Sequence, residues 1–130
     1  MKHIFWALVT LVALLAACGG GDNSVDYIYE APPSYGSIAV NTTTKFSFIS
    51  YNYDSESGAS DSALSRCGSG CVTVLNFGSL QCGALAKGSN GAFGWASDKK
   101  ETNAKNTAIS QCVTYSGLNC VVVLSGCNGS

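Results

Sequence analysis

The residues best suited to chemistry in this chain are cysteines, since the 130-residue sequence contains seven of them and a single histidine, His3. Cysteine thiols can act as nucleophiles, bind metal ions, carry acyl chains or pair as disulfides. His3 lies in a segment that we expect to be cleaved, so the mature chain would contain no imidazole. Ser-His-Asp and Cys-His catalysis, histidine-ligated metals and a histidine pH switch would then be excluded.

The N-terminal segment is typical of an export signal. Residues 4–17 form an apolar run of 14 residues that is interrupted only by Thr10, whereas a membrane-spanning helix needs about 20 apolar residues. The run ends with the sequence LAACG at 15–19, which resembles the lipobox of bacterial lipoproteins. We therefore predict a signal peptide over 1–17 and lipidation of Cys18, with an ordinary secretory signal as the alternative.

Residues 18–34 are predicted to be the lipidated cysteine and a flexible tether. Residues 19–34 contain three glycines, three acidic residues and two prolines, and they lack apolar periodicity. Gly19 follows the cysteine, as in lipoproteins sorted to the outer membrane, so we expect an exported protein anchored there by lipid, periplasmic or surface-facing. A net charge of −1 and the lack of a phosphate-binding loop exclude nucleic acids and nucleotides as expected partners.

Residues 35–130 are predicted to form one globular domain with internal repeats over 35–81 and 82–127. Residues 35–40 align with 82–87, and 46–50 align with 93–97 without a gap. After a two-residue shortening, 63–67 aligns with 108–112, and 71–75 aligns with 120–124. The shared Gly, Ala, Phe, Ser and Cys positions indicate duplication of one supersecondary unit.

Each repeat is predicted to fold as strand, strand, helix, strand. Alternating side chains and turn residues indicate hairpins of 35–40 with 46–51 and of 82–87 with 92–97. Helices are expected over 60–67, capped by Ser60 or Asp61, and over 101–112. The β-branched runs at 72–77 and 121–124 are typical of buried central strands. The predicted fold is α+β, with one mainly antiparallel six-stranded sheet, two helices and two pseudo-symmetric β-β-α-β repeats stapled by disulfides.

The repeat also predicts how the six remaining cysteines pair, because disulfides persist in an exported protein. If the two halves fold alike, the cysteine that ends each helix meets the cysteine that starts the following strand. The predicted pairs are Cys67–Cys71, Cys112–Cys120 and, from the remaining two cysteines, Cys82–Cys127. A cysteine-ligated metal is the alternative, but the paired short spacings of zinc ribbons are missing. No metal and no cofactor is therefore predicted.

The predicted domain offers little for catalysis. Asp98 and Glu101 lie at the start of the second helix, where carboxylates favour the helix dipole, and Glu56 and Asp61 hold the corresponding place in the first repeat. We therefore expect no catalytic residues.

Aromatic and polar residues after the second strand carry the predicted binding surface. The second repeat has Asp-Lys-Lys where the first has Tyr-Asn-Tyr, so the shared fold does not require these rings. The predicted partner-binding residues are Tyr51, Asn52, Tyr53 and Glu56. We expect a lipid-anchored module that binds another protein as an inhibitor, immunity or secretion-accessory factor. A structural envelope lipoprotein without a defined ligand and an envelope hydrolase are the alternatives.

Several short strings resemble a known bacterial family. They are YGSIA at 35–39, CGALA at 82–86, FGWA at 93–96, and a helix ending in cysteine followed by CVVV at 120–123. Over roughly residues 35–127 the chain resembles the domain-of-unknown-function family 4189, whose members are small exported or lipid-anchored proteins without an established activity. The first repeat has Ser47-Phe48 where the family often has Gly-Trp. We expect Phe48 and Trp95 to match each other across the repeat, in the core.

Overall fold

The structure is a computed structural model that describes residues 28–129. The predicted signal peptide, Cys18 and the first part of the tether lie outside these residues. The elements are β1 (Tyr35–Val40), β2 (Ser47–Tyr53), α1 (Glu56–Cys67), β3 (Val72–Phe77), β4 (Cys82–Lys87), β5 (Phe93–Asp98), α2 (Glu101–Thr114) and β6 (Val121–Cys127). The predicted α+β class and the two β-β-α-β repeats are confirmed.

The strands form two three-stranded antiparallel sheets instead of the single six-stranded sheet that we predicted. Their orders are β2-β1-β3 and β5-β4-β6. No strand of one sheet pairs with a strand of the other, and Ile38 and Val40 pack against Leu85 in one cluster, so the two repeats meet face to face and not edge to edge. The prediction that β3 and β6 are central strands is also wrong. They are edge strands, and Val72 and Val121 at their starts are 53% and 58% exposed.

Side-chain size alternates along the central strands and sets the order of the layers. In β1, Ile38 and Val40 pack between the sheets, whereas Ala39 packs beneath α1. In β4, Leu85 packs between the sheets and Ala84 packs beneath α2. The layers therefore run α1, first sheet, second sheet, α2. Strand β2 contacts β6 and β3 contacts β5, as expected for a pseudo-twofold axis that exchanges the repeats.

Both helices begin or end away from the predicted positions. Helix α1 starts at Glu56, four residues before the prediction, because the Ser55 hydroxyl accepts a hydrogen bond from the Gly58 N–H at 3.0 Å. Ser60 and Asp61 are therefore inside the helix and do not cap it. Helix α2 starts at the predicted residue and continues two residues beyond 112.

The gapless alignment of the two hairpins is wrong by one residue in its second strand. Six residues, 41–46, connect β1 to β2, but only five, 88–92, connect β4 to β5. Ile38 pairs with Ile49, and the equivalent Leu85 pairs with Trp95. Trp95 is thus equivalent to Ile49 and not to Phe48. Both rings are partly buried, but Trp95 packs between the sheets and Phe48 packs on the α1 side.

This shift explains why the two helices sit differently on their sheets. Gly94 of β5 lies directly against the backbone of α2, at Ala108 and Cys112, with no room for a Cβ atom. The equivalent position of β2 holds Phe48, so α1 cannot approach its strand in the same way. The Phe48 ring instead lies 5.4 Å from the Arg66 guanidinium.

The three disulfide bonds join the pairs that the repeat predicts. They are Cys67–Cys71, Cys82–Cys127 and Cys112–Cys120. The first and last each tie a helix end to the next strand. Cys82–Cys127 spans 45 residues and ties β4 to the end of β6, so it constrains the unfolded chain most, by about 4 kcal/mol in the loop-entropy treatment.

The contact at Gly94 supports a first prediction. Gly94→Ala should lower the free energy of unfolding by about 3 kcal/mol, because the added methyl group must push α2 off the sheet. Gly78→Ala is the matched control, since the added methyl group there would lie 3.9 Å from its nearest neighbour, Gln81 Oε1. Chemical denaturation measures both. Equal stability of the two variants would contradict this account of α2 packing.

Candidate functional site

The chain enters and leaves the domain side by side, at the end where β2 leads into α1. The Ser34 hydroxyl donates to the Gly129 carbonyl at 2.7 Å, and the Ser34 N–H donates to the Ser79 hydroxyl at 2.8 Å. The Leu80 N–H donates to the same Gly129 carbonyl at 3.2 Å. The N-terminal segment, the β3–β4 turn and the C-terminal segment are thereby joined. We call this end of the molecule the terminal end.

Asn128 connects these segments to β2. Its buried carboxamide donates to the carbonyls of Phe77 and Gly78 and accepts from the Asn52 N–H at 2.9 Å. The Asn52 side chain in turn accepts from the Gly129 N–H at 2.7 Å. No sequence motif singled out Asn128. Its only signal was an asparagine directly after the last cysteine, and its partners are 50 to 76 residues away.

A bulge in β2 sets the conformation of the predicted binding residues. Tyr35 pairs with Tyr53 and Ser37 with Ser50, which leaves Tyr51 and Asn52 opposite a single residue of β1. Asn52 takes a φ of 63°, a left-handed conformation that asparagine tolerates better than most residues. The second repeat has an unbroken register there, so this bulge belongs to the first repeat alone.

The four predicted binding residues differ in their exposure and in which of their polar atoms already have hydrogen-bond partners within the domain. Tyr51 is 45% exposed, with its ring lying over Gly126 of β6. Tyr53 is half-buried, and its hydroxyl contacts the Ser62 hydroxyl at 2.6 Å. Asn52 uses its amide oxygen and backbone N–H inside the domain, as described above. Glu56 is exposed and accepts from the Asn76 carboxamide at 3.2 Å.

Two prolines of the predicted tether complete a groove beside these residues. An open cavity of about 290 Å³ is lined by Pro32, Pro33, Asn52, Tyr53 and Asp54, and we call it the terminal groove. Asp54 is exposed on its rim, and Glu56 follows two residues later. The groove therefore combines apolar proline and tyrosine surface with negative charge.

Ser125, Glu101 and Lys105 form a separate polar cluster between α2 and β6. The Ser125 hydroxyl donates to Glu101 Oε1 at 2.8 Å, and Lys105 Nζ lies 3.0 Å from the same oxygen. The hydrogen bond from Lys105, with that from Ser125 and the Lys105 charge, lowers the pKa of Glu101 below its usual value of 4.5. A carboxylate with a lowered pKa is a poor base for activating a serine.

The Asp98 carboxylate accepts hydrogen bonds from groups at the start of α2. It accepts from the Lys100 N–H at 2.8 Å and from the Asn103 carboxamide at 3.3 Å. Among residues 28–129, no group of three or more His, Cys, Asp or Glu side chains is placed to hold a metal ion. Over the same residues, no helix is both long enough and apolar enough to cross a membrane.

Comparison with protein families connects this fold to a known group. The family model described as "Domain of unknown function (DUF4189)" matches residues 35–127. The chain belongs to this family. The DUF4189 match begins with β1 and ends at Cys127, so it includes both repeats and all three disulfides. Asn128, Pro32 and Pro33 lie outside the DUF4189 match. Neither the curated proteins nor the solved structures gave a match.

The interactions of Glu101 give a pH-dependent prediction. Because folding lowers its pKa, the stabilisation from Glu101 is present above the unfolded-state value and is lost as the pH falls through the folded-state value. Glu101→Gln should therefore reduce the free energy of unfolding at neutral pH, and its difference from the wild type should shrink in acid. Denaturant titrations across this range measure the difference, with Glu56→Gln in the first turn of α1 as the control. A difference that does not change with pH would contradict the assignment.

Proposed function

We propose that this protein is a lipid-anchored envelope protein that acts as a non-catalytic protein-binding module, as an inhibitor, immunity factor or secretion accessory. The main support is the terminal groove, where aromatic, proline and acidic side chains are held on a cross-linked scaffold. The partner is then a protein that presents a basic and partly apolar surface to this groove.

The rigidity of the groove favours binding. The Asn52–Asn128 hydrogen bond holds the β2 bulge, and Cys82–Cys127 fixes the chain one residue before Asn128. Tyr53 is held against α1 through Ser62. A surface whose conformation is set before binding loses less conformational entropy when a partner arrives. Tyrosine adds contact area with few rotatable bonds.

The charges around the groove indicate the chemistry of the partner. Asp54 and Glu56 are exposed next to the groove, and Glu30 lines the neighbouring cavity with Leu80. The exposed cations Lys99 and Lys100 lie between β5 and α2, and they line neither of these two cavities. Acidic groups at the rim of an interface mainly increase the association rate and exclude partners of like charge. A basic patch on the partner would therefore be selected.

Substitution of Cys18 tests the proposed lipid anchor. Cys18→Ala should abolish incorporation of a clickable palmitate analogue and move the chain from the membrane fraction to the soluble fraction, since the acyl chains supply the membrane affinity. Fractionation and acyl labelling measure this change. Cys67→Ala with Cys71→Ala is the control, and it should leave the labelling unchanged. Labelling that persists without Cys18 would contradict the anchor.

The binding function is tested by reversing one charge. Asp54→Arg on residues 19–130 should weaken retention of a partner from envelope extract roughly tenfold, because it places a cation on the acidic rim. Asp61→Arg is the matched control, since Asp61 is also exposed but lies on α1 and does not line the groove. Quantitative mass spectrometry of the bound fraction measures both. Equal retention by the two variants, or hydrolysis of peptidoglycan or ester substrates by the chain, would contradict the proposal.

A further inference from the structure

The end of the domain opposite the terminal groove is built from loops of both repeats, which hydrogen bonds hold together. The Asn41 carboxamide donates to the Ser69 carbonyl at 3.0 Å and links the β1–β2 turn to the α1–β3 loop. The Asn90 carboxamide donates to the Ser116 carbonyl at 2.8 Å and links the β4–β5 turn to the α2–β6 loop. Lys45 packs against Gly91 and joins the two turns. We call this surface the turn end.

Several large apolar side chains are exposed at the turn end. Six large apolar residues there are exposed, and they come from the β1–β2 turn, the last turn of α2, the α2–β6 loop and the starts of β3 and β6. They are Phe46, Val72, Val113, Tyr115, Leu118 and Val121, which are 53% to 62% exposed. Exposed apolar side chains that gather on one surface mark an interaction site, whereas single scattered ones do not.

Charge is also distributed unevenly between the two ends. Of the six cationic and six acidic residues in the described part of the chain, Lys45, Arg66 and Lys87 lie at the turn end and no acidic residue does. Lys45 and Lys87 line the same open cavity of about 290 Å³. Within residues 28–129, no carboxylate lies within ion-pair distance of any of these three cations.

We propose that the turn end docks onto an anionic phospholipid surface. The apolar side chains insert at the level of the headgroups, while Lys45, Lys87 and Arg66 contact lipid phosphates. Apolar and cationic side chains presented together suit the headgroup region of a bilayer, where the apolar groups reach the acyl chains and the cations reach the phosphates. The apolar residues come from two connecting segments, one helix end and two strand starts, and none of them lines the cavity beside Lys45 and Lys87, which favours a lipid surface over a folded protein partner.

The length of the tether allows this orientation if Cys18 is the anchor. Ser34 lies at the terminal end, so the tether must run back along the domain to reach a bilayer at the turn end. A seven-residue strand is roughly 23 Å long. Residues 30–34 are held at the terminal end, where they line two cavities, so residues 19–29 remain for the return. These eleven residues can span at most about 36 Å, which is more than the length of such a strand.

Vesicle sedimentation tests the proposal with the unacylated chain 19–130, which contains every strand, both helices and all three disulfides of the described fold. It should sediment with vesicles of equal parts phosphatidylcholine and phosphatidylglycerol at low salt, and not with phosphatidylcholine alone. Lys87→Gln should lower the partition coefficient about fivefold, through loss of one cation near the surface. Leu118→Ser should lower it about tenfold, through loss of inserted apolar area.

Matched controls lie at the terminal end. Leu80→Ser and Lys99→Gln repeat the same chemical changes there, and Leu80 and Leu118 are both 60% exposed. Both controls should bind vesicles like the wild type. Asp54→Arg should not weaken vesicle binding either, so failure of this proposal is distinguishable from failure of the groove proposal.

Several results would overturn the docking proposal. One is the lack of a preference for anionic vesicles, and another is equal weakening by the terminal-end controls. Retention on a polyglutamate resin as strong as retention on vesicles would indicate an acidic polypeptide as the ligand. A concentration-dependent dimer that Leu118→Ser dissociates would assign this surface to a second copy of the chain.

Discussion

The segregation of side chains by size on the two central strands determines the rest of the architecture. Residues Ile38, Val40 and Leu85 fill the space between the sheets, whereas alanines on the opposite faces let the helices approach closely. If the two faces were exchanged, the large residues would hold the helices away and leave space between the sheets. Phe77 completes the contact between the sheets, because its ring packs against the equivalent glycines Gly36 and Gly83. Face-to-face packing of the repeats then gathers the hairpin turns at one end and the chain termini at the other.

The duplication is closest where packing requires it and diverges elsewhere. Both repeats shift register at the same place, between Ile38 and Ala39 and between Leu85 and Ala86, where the central strand pairs with the last strand. The β2 bulge has no counterpart in the second repeat. The second repeat has Gly94 where its strand lies against the backbone of α2. The first repeat has Phe48 at that position, and the Tyr51–Tyr53 segment lies just beyond it. The candidate binding residues therefore lie in the first repeat, where the packing of α1 on the sheet does not require a glycine in β2.

The sequence was sufficient to predict most elements but not their assembly. Strand boundaries follow from alternation and turn residues, and the cysteine pairs follow from the repeat. Both could therefore be predicted without knowing how the strands assemble. Neither source specifies which strand edges pair, and two sheets or one sheet fit the same pattern.

The one-residue difference between the turns was hidden because a gapless alignment matched Phe46 with Phe93. Asn128 could not be found because its role depends on carbonyls and an N–H that are distant in the chain. The buried Ser37 hydroxyl has no hydrogen-bond partner within the described residues, and the second repeat has Ala84 at the equivalent position.

The two proposed surfaces are geometrically compatible because they lie at opposite ends of the same strands. A domain resting with its turn end on a bilayer would direct the terminal groove away from the lipid, towards proteins in the surrounding space. The charge distribution favours this orientation, since the cationic end would face anionic headgroups and the acidic groove would be repelled by them. An anchor alone would leave the domain free to rotate on its tether. Docking would restrict that rotation, so a bound partner would meet a groove held at a defined height above the membrane.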